Sequence, residues 1–176
     1  GERVWTSGCW ETLLYRLDVD GNAVDPVETE GAGPIVLFFD GEHIWTANAH
    51  SDTVTKFSRD GEALGNFEVG DVPIAFAEEG DHIWVANWRE HTVSKLSKEG
   101  DDLGRFDTGR LPYGIEFDGE HIWTANSMDG TVSKLSLDGG LLATYPVGAA
   151  PAKILSVNGE IWVTLTSDDS IVRLKP

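Results

Sequence analysis

Apolar and polar positions along this chain fall into short runs, and the runs recur in a fixed order. Each is rich in Val, Ile, Leu and aromatic residues and is bounded by Gly, Asp or Asn, the pattern of β-strands between turns. No longer window carries the 3.6-residue apolar period of a helix. Trp5, Trp45, Trp84, Trp123 and Trp162 each close one run (RVW, HIW, HIW, HIW, EIW), at spacings of 40, 39, 39 and 39 residues. A polar loop follows each Trp, then a second run: LLYRL, TVTKF, TVSKL, TVSKL, SIVRL. Next comes a turn built on Asp20-Gly21, Asp60-Gly61, Glu99-Gly100 or Asp138-Gly139, then a third run, and finally a fourth opened by Pro34, Pro73, Pro112 or Pro151. Asp-Gly between two strand-like runs is a strong hairpin signal. A repeat of about 40 residues with four strands suits a propeller blade, whose sheet buries both faces against its neighbours. The expected fold is an all-β propeller of about five four-stranded blades in a single domain, residues 1–176. The repeats run approximately 2–33, 34–72, 73–111, 112–150 and 151–176.

The order assigns the Pro-led run as innermost strand, the Trp run as second, the Lys-bearing run as third and the remaining run as outermost. The second-to-third loops and the connections between blades then share one face, the loop face. The Asp-Gly turns fall on the other. The chain opens on a second strand and closes on a third, so one terminal blade lacks an inner strand and the other an outer one. Either a five-bladed ring has two trimmed blades, or the chain is a fragment of a longer propeller. In both cases an open strand edge is available for self-association, blunted only at the last residue by Pro176.

Charge narrows the partners. With 30 acidic against 13 basic residues the net charge is −17, which disfavours nucleic acid and anionic membranes. No stretch approaches the roughly 20 apolar residues of a membrane span, so no membrane insertion is expected. The chain starts at Gly1 without Met, which leaves room for a removed leader or tag. Cys9 is the single cysteine, so no intrachain disulfide is expected.

The repeat core, HIWTAN, TVSKLS, a D-G turn, VG and then P-Y-G-I-x-F-D-G, resembles the exported propellers of the YVTN, NHL-like and streptogramin (virginiamycin B) lyase-like group over residues 4–174. The resemblance implies the propeller fold and an extracellular or periplasmic location. Lyases of this kind are seven-bladed and metal-dependent. The chain is expected to be too short for a complete one, and no catalytic His and Glu motif of theirs matches a position here.

The repeats act as an internal control: what all copies share is structural, and what departs on the loop face is a functional candidate. By that measure the five Trp pack between blades. His43, His82 and His121 belong to the turns of separate blades. Lys56, Lys95, Lys134, Arg16 and Arg173 form a stripe whose stems cover apolar surface and whose heads meet local carboxylates. Asn48, Asn87 and Asn126 shape the loops they enter. The loop-face candidates for ligand binding are Trp88, Arg89, His91, Tyr113, Arg110, Trp10 and His50, an aromatic and cationic mixture suited to a small molecule, a carbohydrate or a protein. Asp168, Asp169, Asp129 and Asp52 are weak candidates for Ca²⁺ or Mg²⁺, because hard cations take several loop oxygens. No nucleophile motif, HExxH, CxxC or phosphate-cradling loop occurs. A non-catalytic binding scaffold is therefore expected. The alternatives are a metal-assisted lyase or hydrolase of the resembled type and a structural or assembly module that oligomerises through open blade edges.

Overall fold

The computed structural model describes residues 3–175; Gly1 and Pro176, on which the readings of the two termini fell, lie outside them. All secondary structure among the described residues is β, and no helix among them is long and apolar enough to cross a membrane. The chain divides into two compact units, residues 1–73 and 74–176.

The first unit holds two antiparallel sheets. One has three strands, β1 (Val4–Ser7), β2 (Leu13–Leu17) and β3 (Ala23–Glu28), paired in that order. The other has four, β4 (Pro34–Phe39), β5 (Ile44–Asn48), β6 (Thr53–Phe57) and β7 (Ala63–Glu68). Leu14, Ile44 and Phe57 form the core between them, with Trp5, Val27 and Leu37 packed against it.

The second unit holds three sheets. Two have four strands: β8 (Pro73–Glu79), β9 (His82–Asn87), β10 (Thr92–Ser97) and β11 (Asp102–Asp107), then β12 (Pro112–Phe117), β13 (Ile122–Asn126), β14 (Thr131–Leu135) and β15 (Leu141–Pro146). The third has β16 (Pro151–Val157), β17 (Glu160–Leu165) and β18 (Ser170–Leu174). Strand order within every sheet follows the sequence, with the Pro-led strand at one edge of its sheet, as the repeat predicts. Trp84, Ala86 and Val93 of one sheet pack on Ile115, Ile122 and Leu135 of the next. Trp123, Ala125 and Val132 pack in turn on Ile154, Ile161 and Val163. This two-sided packing explains why β13 (IWTAN) is buried at every position.

The Trp strand and the Lys strand are in register, Trp45 opposite Lys56, Trp84 opposite Lys95 and Trp123 opposite Lys134. Each ammonium lies 5.0–5.4 Å from the centroid of its Trp ring, and the Arg16 and Arg173 guanidinium carbons lie 5.4 and 5.7 Å from those of Trp5 and Trp162. The stripe is therefore a cation–π ladder, and its heads bond carbonyls as well as carboxylates: Lys95 reaches both Leu137 O and Glu79. Trp162 departs from the expectation of uniform burial. It is 38 % exposed, because among the described residues of its unit no further sheet packs on the Trp face of β17.

The HIW turns also have a specific chemistry. Asp40 and Asp118 each accept two backbone N–H groups of the turn and the indole N–H of Trp45 or Trp123. Burial pushes both carboxyls up, but these bonds outweigh it and hold them below the ordinary carboxylate value. Glu79 takes the same place in the third sheet but serves His82 and Lys95 instead, which leaves the Trp84 indole N–H without a partner.

Candidate functional site

The loop face is organised by the residue that precedes each proline. Gly33, Val72, Leu111 and Ala150 all have positive φ, 68°, 58°, 54° and 50°, a conformation that L-residues adopt at a cost and β-branched Val most of all. A set of hydrogen bonds holds the chain there. At its start each connection donates from Thr29, Val69, Thr108 or Val147 N to the carbonyl of Thr12, Asp52, His91 or Gly130, in the loop of the preceding sheet. At its end the carbonyls of Gly33, Leu111 and Ala150 accept from Ala49, Ser127 and Thr166 N of the following loop. The left-handed turn is what aims those carbonyls at the next sheet.

Several predicted site residues belong to this stitching. Asp52 Oδ1 accepts from Val72 N at 3.0 Å, and His91 Nδ1 accepts from Leu111 N at 3.1 Å. Both sit just before a third strand with positive φ themselves, 57° and 66°, so a carboxylate and an imidazole do one task in two sheets. Asp129 accepts from Arg110 N at 2.7 Å and from Arg110 Nε at 2.6 Å. Those bonds, first the backbone one, hold the Asp129 carboxyl below its usual value. Asp168 accepts from Ala149 N at 3.4 Å. Asp169, with a φ of 47°, occupies the place that Asp52 and His91 take in their loops. Among the described residues no group of three or more His, Cys, Asp or Glu is placed to hold a metal ion. Arg110 is half of an ion pair rather than a free cation.

Trp88, Arg89, His91, Arg110 and Tyr113 are drawn together in the second unit, because the loop of 88–91 is bonded to the connection of 108–111 and β12 follows at once. Tyr113 occupies the bulge between Pro112 and Gly114, is 44 % exposed and has the Lys153 ammonium 5.6 Å from its ring centroid. Gly114 beside it is required: a Cβ there would stand 2.3 Å from Ala152 O of β16. Arg89 is exposed. Trp88 is half-buried, and its indole N–H is buried with no partner. Trp10 and His50 form a separate pair in the first unit, rings 5.7 Å apart, with Trp10 87 % exposed.

The fold built from these sheets has close counterparts. Virginiamycin B lyase from Staphylococcus aureus, in a catalytically inactive form with quinupristin, superposes with a TM-score of 0.85 at 16 % identity, over 98 % of this chain and 62 % of that one. The chain has the β-propeller repeat fold. BamB from Moraxella catarrhalis matches this propeller at a TM-score of 0.74 and 15 % identity, over 93 % of this chain and 52 % of that one. The computationally designed Ika4 protein matches at 0.74 and 13 %, over 84 % of this chain and 94 % of its own. The chain thus spans under two thirds of the lyase's length. No protein-family model and no curated protein matches it.

Two features of this propeller lie outside the expectations drawn from the repeats. The three Asn that end the Trp strands are fully buried rather than loop-shaping. Their amides donate to hydroxyls of the third strand: Thr53 and Thr55, Thr92 and Ser94, Thr131 and Ser133. Glu116 stands four residues after its proline, where the other copies have Phe38, Ala77 and Leu155. Its carboxylate bonds Ser156 N at 3.1 Å, and burial raises its pKa. A lone carboxylate in an apolar column was the signal.

Proposed function

We propose that this propeller is a non-catalytic binding scaffold and that its ligand docks on the loop face beside Trp88, Arg89 and Tyr113. The observation that carries the reading is the Trp88 indole N–H, buried and bonded to nothing, at the rim of a sector with an exposed guanidinium and an exposed phenol. A buried donor without an acceptor costs about 1–3 kcal/mol, and a ligand that turns the half-buried Trp88 ring and brings an oxygen to its nitrogen recovers that cost on binding. The Trp84 indole is also unpartnered, but it lies in the core, out of a ligand's reach. Two further facts support a ligand with rings and oxygens: the aromatic-plus-cation character of the sector, and the quinupristin in the structurally similar lyase. Asp52, Asp129 and His91 are each engaged by a backbone N–H group, which supports a structural role for them beside the binding sector.

The test is titration with neutral oligosaccharides and small aromatic amides, followed by tryptophan fluorescence, on the wild type, Trp88→Phe and Arg89→Ala. Trp88→Phe keeps most of the ring surface and deletes the donor, so a genuine ligand should bind it about tenfold more weakly. Equal affinity for all three proteins removes the loop-face site.

A further inference from the structure

Every strand Trp carries a cation on its ring. Arg16 lies over Trp5, Lys56 over Trp45, Lys95 over Trp84, Lys134 over Trp123 and Arg173 over Trp162. The two loop tryptophans carry none among the described residues. Of these, Trp88 is half-buried and Trp10 is 87 % exposed. Trp10 is the third residue of a turn closed by a bond from Glu11 N to Gly8 O at 3.1 Å. It forms a loop tip, five residues after the strand Trp. The later copies place His50, Arg89, Met128 and Ser167 there, all of them exposed. Exposure is thus a property of the tip, in the middle of the chain as at its start. In the first unit two neighbouring tips meet: the Trp10 and His50 rings are 5.7 Å apart and tilted by 45°. His50 is anchored. Its N–H donates to Ala32 O at 3.0 Å, and its ring packs so closely on Gly33 that a Cβ there would stand 2.6 Å from it. Trp10 leans on this fixed imidazole and leaves most of its own surface to solvent.

We propose that Trp10, backed by His50, seats an organic cation of the alkylammonium class. Indole is the strongest cation–π acceptor among the side chains, and the five strand tryptophans show the chain using it with partners of its own. Two further observations favour a cation over a neutral ring such as a sugar. The loop-face segments of this unit, 8–12, 29–33 and 48–52, contain Glu11, Glu30 and Asp52, all exposed, and no Lys or Arg. Backbone bonds tie these segments together, Thr29 N to Thr12 O at 2.7 Å and Ala49 N to Gly33 O at 2.9 Å, so the three carboxylates share the face on which Trp10 stands. The net charge of −17 adds a field that draws cations to the whole surface.

This site is separate from the Trp88 sector and does not rest on it. The probe is choline, compared with 3,3-dimethylbutan-1-ol, which has nearly the same shape and no charge. Each is titrated into the full chain, and the indole N–H signals of the seven tryptophans are followed by ¹H–¹⁵N NMR together with the backbone amides of residues 8–12. The Trp10 indole signal is the one that Trp10→Leu deletes. Choline should move that signal saturably and bind about two- to fivefold more tightly than the alcohol, the ratio expected for a cation–π contact at an exposed site. Trp10→Leu keeps apolar surface and removes the π face, so the amides of 8–12 should no longer distinguish choline from the alcohol. Trp88→Phe should leave both titrations unchanged. Equal affinity of the wild type for the two probes overturns the proposal, as does a Trp10 signal that stays in place at decimolar choline. A shift that sodium chloride of the same ionic strength reproduces also overturns it, because screening alone then accounts for the change.

Discussion

Asp118 shows how a single side chain ties a turn to a core. Its carboxylate holds two backbone N–H groups and the Trp123 indole, and its pKa lies below the ordinary value. A lowered folded pKa means that the unfolded chain takes up protons first. The stability from this carboxylate is complete above the unfolded carboxylate value of about 4 and is lost as pH falls through the folded one. Asp118→Asn should therefore flatten the acid limb of stability against pH, measured by urea melts from neutral pH down. Glu116 has the opposite sign. Its pKa is raised, so the folded chain takes up protons first, and its contribution improves as pH falls from neutral through the folded value. Glu116→Gln keeps an acceptor for Ser156 N, so it should raise stability at neutral pH and remove that trend; an unchanged melt at pH 7 would contradict the half-buried placement. Among the tryptophans, Trp123→Ala should cost about 3–5 kcal/mol. Trp162→Ala should cost clearly less, since part of that ring is already in water. Urea titrations of both variants check the difference.

At the scale of elements, the four connections into the Pro-led strands carry the strain. Val72 at φ 58° is a β-branched residue in the left-handed region, which costs about 1–2 kcal/mol. Glycine removes that cost and adds about 0.5–1 kcal/mol of chain entropy. Val72→Gly should then be neutral to stabilising, by up to about 1 kcal/mol. Gly33→Val should destabilise by about 2 kcal/mol or more, because it adds the strain and drives its Cβ to 2.6 Å from the His50 ring. Denaturant midpoints of the two variants decide the matter. The strands were legible because their apolar alternation and Asp-Gly turns are local signals, and β1 to β18 follow the order that the repeat dictates. The left-handed residues were not, since a residue before proline is biased toward extended conformations and Val or Leu gives no sign of the reverse. Of the candidate loop-face residues, Tyr113 and Arg89 are exposed, as polar and aromatic residues beside strand ends commonly are. The Arg110–Asp129 pair joins residues 19 apart on two loops, and no local pattern encodes it. Trp88 follows a strand end, where burial depends on packing that a sequence window does not contain.

For the molecule as a whole, charge is the dominant global property. A net charge of −17 on 176 residues repels itself in the compact state, and screening at physiological salt acts over about 8 Å. The melting temperature should rise as sodium chloride is increased from low to moderate concentration. The loop carboxylates set a separate test. Asp52, Asp129 and Asp168 are occupied by backbone donors, so millimolar Ca²⁺ or Mg²⁺ should add no more than matched ionic strength does, and EDTA should subtract nothing. A calcium-specific rise of several degrees would show that these loops rearrange into an ion site. The stitched connections have a last consequence, one of inheritance. Because His91 in one loop anchors Leu111 in a connection 20 residues downstream, as Asp52 anchors Val72, loop and connection are a single heritable cassette. A graft of residues 88–91 alone would separate an anchor from its donor, whereas the segment 88–111 carries the two together. Recombination that cuts inside that segment is the kind this architecture should tolerate least.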